Sequence, residues 1–244
     1  MYRSIPAESL LILLPLFLLG CTATTYRLHP RFKERFEQSR TVAIIQPQMK
    51  ICRLTAGGVS EFMYEWSMQS GDLASKLLSE RLAGLFAKRV AFIDPLDLDG
   101  EGRDFIDSQI GMFFTVSSSV VEHDFKRKKK RAGREDQSFR YTLGPEVSRL
   151  KEFAPDADLF LFCAAQKSIW TPGRVSMAVV NGLVGFFMPV GSDWMALAVI
   201  DADTGDVLWF DYVNKPGDLR DQNVLDKILT KVFYHLSETR SQGE

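Results

Sequence analysis

Hydrophobic positions along the chain fall into short continuous runs and into stripes at three- and four-residue spacing. Thr41–Gln46 (TVAIIQ) is a β-branched run closed by Pro47, the pattern of a buried strand. Leu73, Leu77, Leu78, Leu82, Leu85 and Phe86 recur at helical spacing, with Lys76, Glu80, Arg81 and Lys88 on the other side. Asp72, after Gly71, stands where the N-cap of that helix belongs. Val90–Ile93 reads as a second strand and Asp158–Ala164 (DLFLFCA) as another, buried on both faces. Trp194–Asp201 and Val207–Tyr212 bracket a Gly-containing hairpin turn, ADTGD. From Asp221 to Ser237, Val224, Leu225, Ile228, Leu229, Val232, Phe233 and Leu236 form a last helical stripe.

The middle of the chain, Leu96 to Leu143, is less regular. Phe113–Val121 and Ser138–Thr142 read as strands joined through a charged tip, and Glu146–Phe153 as a short helix after Pro145. The order of elements predicts an α/β fold, a three-layer-like sandwich with a mixed β-sheet flanked by amphipathic helices.

Ahead of these elements lies Leu10–Leu19 (LLILLPLFLL), an apolar run broken by Pro15. A membrane-spanning helix needs roughly 20 apolar residues, so the run has the length of a secretion signal. Leu18-Leu19-Gly20-Cys21 resembles the lipobox of bacterial lipoproteins. That resemblance implies signal cleavage between Gly20 and Cys21, and acyl chains such as palmitate on Cys21. Thr22 follows in place of the aspartate that retains lipoproteins in the inner membrane, which implies the periplasmic face of the outer membrane. Polar Thr22–Arg40 reads as a tether. The expected organisation is a lipoprotein signal peptide at 1–20, a tether at 21–40, and one α/β domain at 41–244 ending in a helix.

Composition narrows the function classes. Lys and Arg number 30 against 31 Asp and Glu, a net charge of −1. Nucleic-acid binding as the main activity would need a strong basic excess. Asp203-Thr204-Gly205 matches the aspartic-protease triplet, but that chemistry needs two carboxylates sharing a proton. The triplet occurs once and falls in a turn. Asp97, Asp99, Glu101 and Asp104 suggest calcium, yet Ser108 stands where an EF-hand loop needs its twelfth-position Glu. His29, His123 and His235 lack metal-ligand spacing, with His235 expected on the polar side of the last helix, and no GxSxG, P-loop or GxGxxG motif occurs. The expectation is a non-enzymatic protein without catalytic residues, cofactor or metal. Cys52 and Cys163 either pair in an oxidising compartment, or Cys163 is a small apolar filler.

Two segments are candidates for contact. Lys126, Arg127, Lys128, Lys129, Lys130 and Arg131 form a basic run flanked by Glu122, Asp124, Glu135 and Asp136. It is either a solvated hairpin tip or a contact for anionic head groups or an acidic partner. Val175–Val190 (VSMAVVNGLVGFFMPV) holds sixteen residues without a charge. Asn181-Gly182, Gly185 and Pro189 exclude a stable transmembrane helix. The segment is either an apolar hairpin turning at Asn181-Gly182, or an exposed loop meeting a membrane or another subunit through Phe186, Phe187 and Met188.

TVAIIQP, LLSERLAGLFAKRVAFIDP, FAPDADLFLFCAAQ and ALAVIDADTGDVLWF resemble periplasmic lipoproteins of the curli-secretion superfamily and the amino-terminal domain of the Tol system's propeller protein. Thr171–Arg174 (TPGR), Gly205–Phe210 (GDVLWF) and Gly217–Arg220 (GDLR) resemble segments of uncharacterised bacterial lipoproteins. The resemblance implies a lipid-anchored periplasmic accessory or assembly protein of an envelope complex. Its partners would be the membrane, through Cys21, and other envelope proteins or further copies of the chain. The alternative is an oligomeric secretion or pore component like the curli exporter. A transmembrane barrel needs segments alternating apolar and polar positions, and Val175–Val190 lacks that alternation.

Overall fold

A computed structural model describes residues 24–127, 139–183 and 193–241. Strands β1 (Thr24–Leu28), β2 (Thr41–Ile45), β3 (Gln48–Leu54), β4 (Ser60–Phe62), β5 (Arg89–Ile93), β6 (Leu159–Trp170), β7 (Trp194–Asp201) and β8 (Val207–Asn214) form one mixed sheet. Its order is β1-β8-β7-β6-β2-β5, and β3 takes over from β2 beside β6 before pairing with β4. Pairings of β2 with β5 and β6, and of β3 with β6, are parallel; the others are antiparallel.

Period-two alternation builds the layers. Leu159, Leu161, Cys163 and Ala165 of β6 lie in one core, under α2 (Tyr64–Phe86) and α5 (Gln222–Ser241). Phe160, Phe162 and Ala164 lie in the other, under α3 (Gly100–Val120) and a 3-10 helix at Pro145–Glu152. Both cores are apolar, which explains the unbroken hydrophobic runs of the central strands. The α/β layering agrees with the expectation.

Several elements do not. The tether reading fails over Thr24–Gln38: β1 pairs with β8, and α1 (Phe32–Gln38) packs on the end of α2. Tyr26, Leu28, Phe32 and Phe36 are buried, with the Phe36 ring edge-on to Phe86 at 5.3 Å. Polar residues between them hide the pattern, because an edge strand and a two-turn helix each need only two apolar anchors. β3 and β4, at Gln48–Leu54 and Ser60–Phe62, were not anticipated.

Phe113–Val121 is helix, not strand, and forms the second half of α3. Its buried residues Ile106, Ile110, Phe113, Ser117 and Val120 recur at three or four, and aromatic and β-branched richness masks that period. Asp99, from the acidic loop, is the N-cap of α3 and accepts from the Gly102 amide at 2.8 Å. Thr142 makes an isolated bridge to Asp206 in place of a strand at Ser138–Thr142.

α2 starts at Tyr64, one residue after Met63 and well before Asp72. It passes Gly71 because that residue lies against the backbone of Pro47; an added Cβ would stand 3.1 Å from the Pro47 oxygen. The hairpin turning at Asn181-Gly182 is replaced by helix α4 (Pro172–Leu183), which runs through both residues.

Candidate functional site

The β7–β8 turn end of the sheet is held by charge. The Asp201 side chain is fully buried, and its carboxylate accepts from Arg35 Nε at 2.7 Å and Nη2 at 3.2 Å. The backbone amides of Asp203 and Thr204 add bonds of 2.9 and 3.2 Å. Burial pushes the Asp201 carboxyl up, but Arg35 and the two amides hold it below the usual value. Asp203 pairs with Lys151 and Arg35, and Asp206 with Arg31. The Asp-Thr-Gly triplet is therefore a turn clasped by α1. Its carboxylate, and those of the flanking Asp201 and Asp206, are occupied by structural cations.

A second buried carboxylate sits on β8. Asp211 is fully buried, and His235 Nδ1 of α5 lies 3.0 Å from its Oδ2. Burial pushes the Asp211 carboxyl up, and the His235 hydrogen bond opposes this. The Tyr26 ring stacks on His235 at 4.8 Å. His235 thus faces the sheet and not the polar side of its helix. Among the described residues, no group of three or more His, Cys, Asp or Glu is arranged to hold a metal ion. Cys52 and Cys163 are both free. Cys52 stands opposite Ser168, five residues along β6 from Cys163, which is too far for a disulfide.

The opposite end of the sheet carries the roots of the basic run and of the charge-free segment. Thr24 pairs with Val213, Val213 with Met195, Met195 with Ala165, and Ala165 with Met49, one row across five strands. Over this end, the last turns of α3 and the aromatics Trp194 and Tyr212 enclose a cavity of about 340 Å³, lined also by Ser117, Ser118, Val121 and Glu122. Ser117 Oγ is buried and finds no hydrogen-bond partner among the described residues. The π-helical turn Val121–Arg127 continues α3 and leads into the basic run. Its root is clamped to β1: Arg27 Nη2 donates to the Asp124 carbonyl at 2.8 Å and the guanidinium lies over the Phe125 ring.

Beyond the same row, β3, β4 and the end of β6 project, and α4 follows. Val59, Phe62, Tyr64, Val175 and Met177 are exposed there, between 45% and 62%. The charge-free segment thus begins on an exposed helix face. Lys126 and Arg127 close the π-helical turn, and Lys128, Lys129, Lys130 and Arg131 lie outside the described residues, as do Gly20, Cys21, Phe186, Phe187 and Met188. The sequence reading missed Trp194, Tyr212, Val59 and Phe62. For Trp194, Tyr212 and Phe62 the signal was weak, because an aromatic in a strand reads first as core.

No protein-family model matches the chain, and no curated protein does. Among solved structures it is similar to the PelC dodecamer of Paraburkholderia phytofirmans, at 11% identity over 88% of this chain and 96% of that one, with a TM-score of 0.41. A point-substituted form of that dodecamer gives 11% identity, 88% and 98% coverage and a TM-score of 0.38. Nothing about this chain follows at that level of similarity. No helix among the described residues is long and apolar enough to cross a membrane.

Proposed function

We propose that the protein is a non-enzymatic lipoprotein of the cell envelope, anchored by acyl chains on Cys21 at the periplasmic face of the outer membrane and serving as an accessory or assembly factor for an envelope complex. The observation that carries this is Leu18-Leu19-Gly20-Cys21 standing three residues ahead of the edge strand β1. Each buried CH₂ of an acyl chain contributes about 0.8 kcal/mol, so several chains on one cysteine hold a protein stably. A cysteine so close to a strand end fixes which end of the sheet faces the bilayer. The basic run supports the reading, since its root is clamped to β1 through Arg27 and each cation near an anionic surface adds about 1 kcal/mol. The acidic groups of the Asp-Thr-Gly turn are engaged in holding α1, which favours a binding role over catalysis.

The test is mass spectrometry and fractionation of the full chain beside Cys21→Ser. A mature protein starting at Cys21 with added diacylglyceryl mass, sedimenting with outer membranes, is expected, and the serine variant keeps its signal segment. An unmodified Cys21, or equal membrane association of both forms, overturns the anchor. Pull-down from detergent-solubilised envelopes tests the accessory role. Recovery of no envelope protein overturns it.

A further inference from the structure

We infer that the β3–β4 turn and the start of α4 form an apolar tip that enters the bilayer beside the anchor; this rests on the lipid-anchor reading above. The argument is one of reach. From the row that contains Thr24, Ala165 and Met49, strands β6 and β3 continue side by side for five more residues, to Trp170 and Leu54. At roughly 3.3 Å per residue this is about 16 Å along the strands. From Thr24 back to Cys21 the chain has three residues, which span at most about 11 Å when fully extended. The strand ends at Trp170 and Leu54 therefore stand roughly 5 Å past the farthest point open to the Cys21 Cα, before the β3–β4 turn itself is added. With Cys21 at the head groups and the strands running near the membrane normal, the tip reaches the lipid.

The side chains there suit lipid. Val59 is 60% exposed and Phe62 55%, and Val175 and Met177 of α4 are 48% and 45% exposed. Charge at the turn itself is sparse or paired, and the exposed Lys50 and Glu65 lie back toward the row, on β3 and the first turn of α2. Arg53 and Glu61 pair at 2.6 Å across β3 and β4. Lys167 and Asp193 pair at 2.7 Å at the base of the projection. From Ser168 to Ser192 the one charged residue is Arg174. It is buried against the Trp170 ring, and its Nη1 donates to the Thr55 carbonyl at 3.3 Å. Exposed Tyr64, next to Met63 whose amide donates to the Ile51 carbonyl, stands back from the tip, at the level where interfacial aromatics are found. Apolar faces of monotopic elements sit about 5–10 Å into the head-group and acyl boundary, the depth that the reach requires.

The experiment uses the full lipidated protein, reconstituted in phosphatidylethanolamine–phosphatidylglycerol vesicles containing acyl-brominated phospholipid. Val59→Trp places a reporter on the tip, and Glu34→Trp places one on α1 at the opposite end of the sheet. The emission added at position 59 is expected to be quenched at least about twofold more than that added at position 34. Val175→Asp combined with Val59→Trp is expected to reduce the quenching while the protein still floats with the vesicles. Equal quenching at positions 59 and 34 in protein whose mass proves acylation overturns the tip and leaves the anchor standing. Photo-crosslinking from position 59 to a second copy, without quenching, overturns it also and makes the tip an interface between protomers. If the mass shows bare Cys21, the anchor fails and the tip falls with it.

Discussion

Arg35→Met removes the guanidinium that neutralises the buried Asp201 carboxylate and so measures how firmly the segment after Cys21 belongs to the fold. Asp201 has no exposed side-chain surface, while Arg35 is 27% exposed. Removing one partner of a buried pair costs about 3–5 kcal/mol, because the remaining charge is left uncompensated. Two corrections lower that figure. Arg35 is partly solvated, and the Asp203 and Thr204 amides still hold Asp201 in the variant. The expected loss is about 2–3 kcal/mol, or roughly 5–10 °C in Tm for a chain of this size. Urea denaturation of a soluble form beginning at Thr22 measures it, with Asp201→Asn and the double variant closing a cycle. The Asp201 carboxyl lies below its ordinary value of 3.8, so its stabilisation is present above that value and is lost as pH falls through the lower folded value. The gap between wild type and Arg35→Met must close on acidification. A loss under about 1 kcal/mol at neutral pH, or a gap that persists in acid, refutes the claim that the pair ties α1 to the sheet.

Gly205→Ala puts a Cβ into the Gly144 backbone at a φ of +76°, and a loss of about 2–4 kcal/mol in a urea titration is expected; a midpoint within error of wild type refutes the tight turn. Cys52 and Cys163 should both titrate as free thiols in denaturant without reductant and stay unreactive in the native protein, where burial also pushes the Cys163 thiol up; absence of free thiol after denaturation refutes the five-residue register offset. Burial holds the Asp211 carboxyl above 3.8, so its ionised form weighs against the fold increasingly as pH rises through the folded value. Asp211→Asn keeps an acceptor for His235, and its stability relative to wild type should grow from acid to neutral pH. A pH-independent difference refutes that.

The central sheet was legible where the chemistry was redundant. β2, β6, β7 and β8 are each runs of mostly apolar residues buried on both faces, and no other element suits such a run, while the half-exposed edge strand β5 was legible from its short VAFI run alone. α5 was legible because its stripe continues for four turns. The failures have one physical character, which is that the deciding partner lies far away in sequence. Tyr26 and Phe36 look like stray aromatics until β8 and α2 supply the surfaces that cover them. Ser67, Ser70 and Gly71 look like an ending before α2, but they are small because β3 and the Pro47 backbone press against that turn. Phe113 and Val120 suit a strand by propensity. Their shared helix face is chosen by the second core, which no local window contains.

The candidate site was legible in a different sense. The lipobox, the basic run and the charge-free segment stand out in composition, but nothing in the sequence relates them, since they lie more than a hundred residues apart between the first and the last. What relates them is register. β1 pairs antiparallel to β8, so that Thr24 meets Val213, and β6 outruns β7, so that the apolar tip stands beyond that row. A tether of the length first expected would have left the domain free to turn any face to the membrane. Its absorption into β1 and α1 leaves three residues between Cys21 and the fold, and under the proposed anchor a leash shorter than the projection beside it would make orientation a consequence of covalent length.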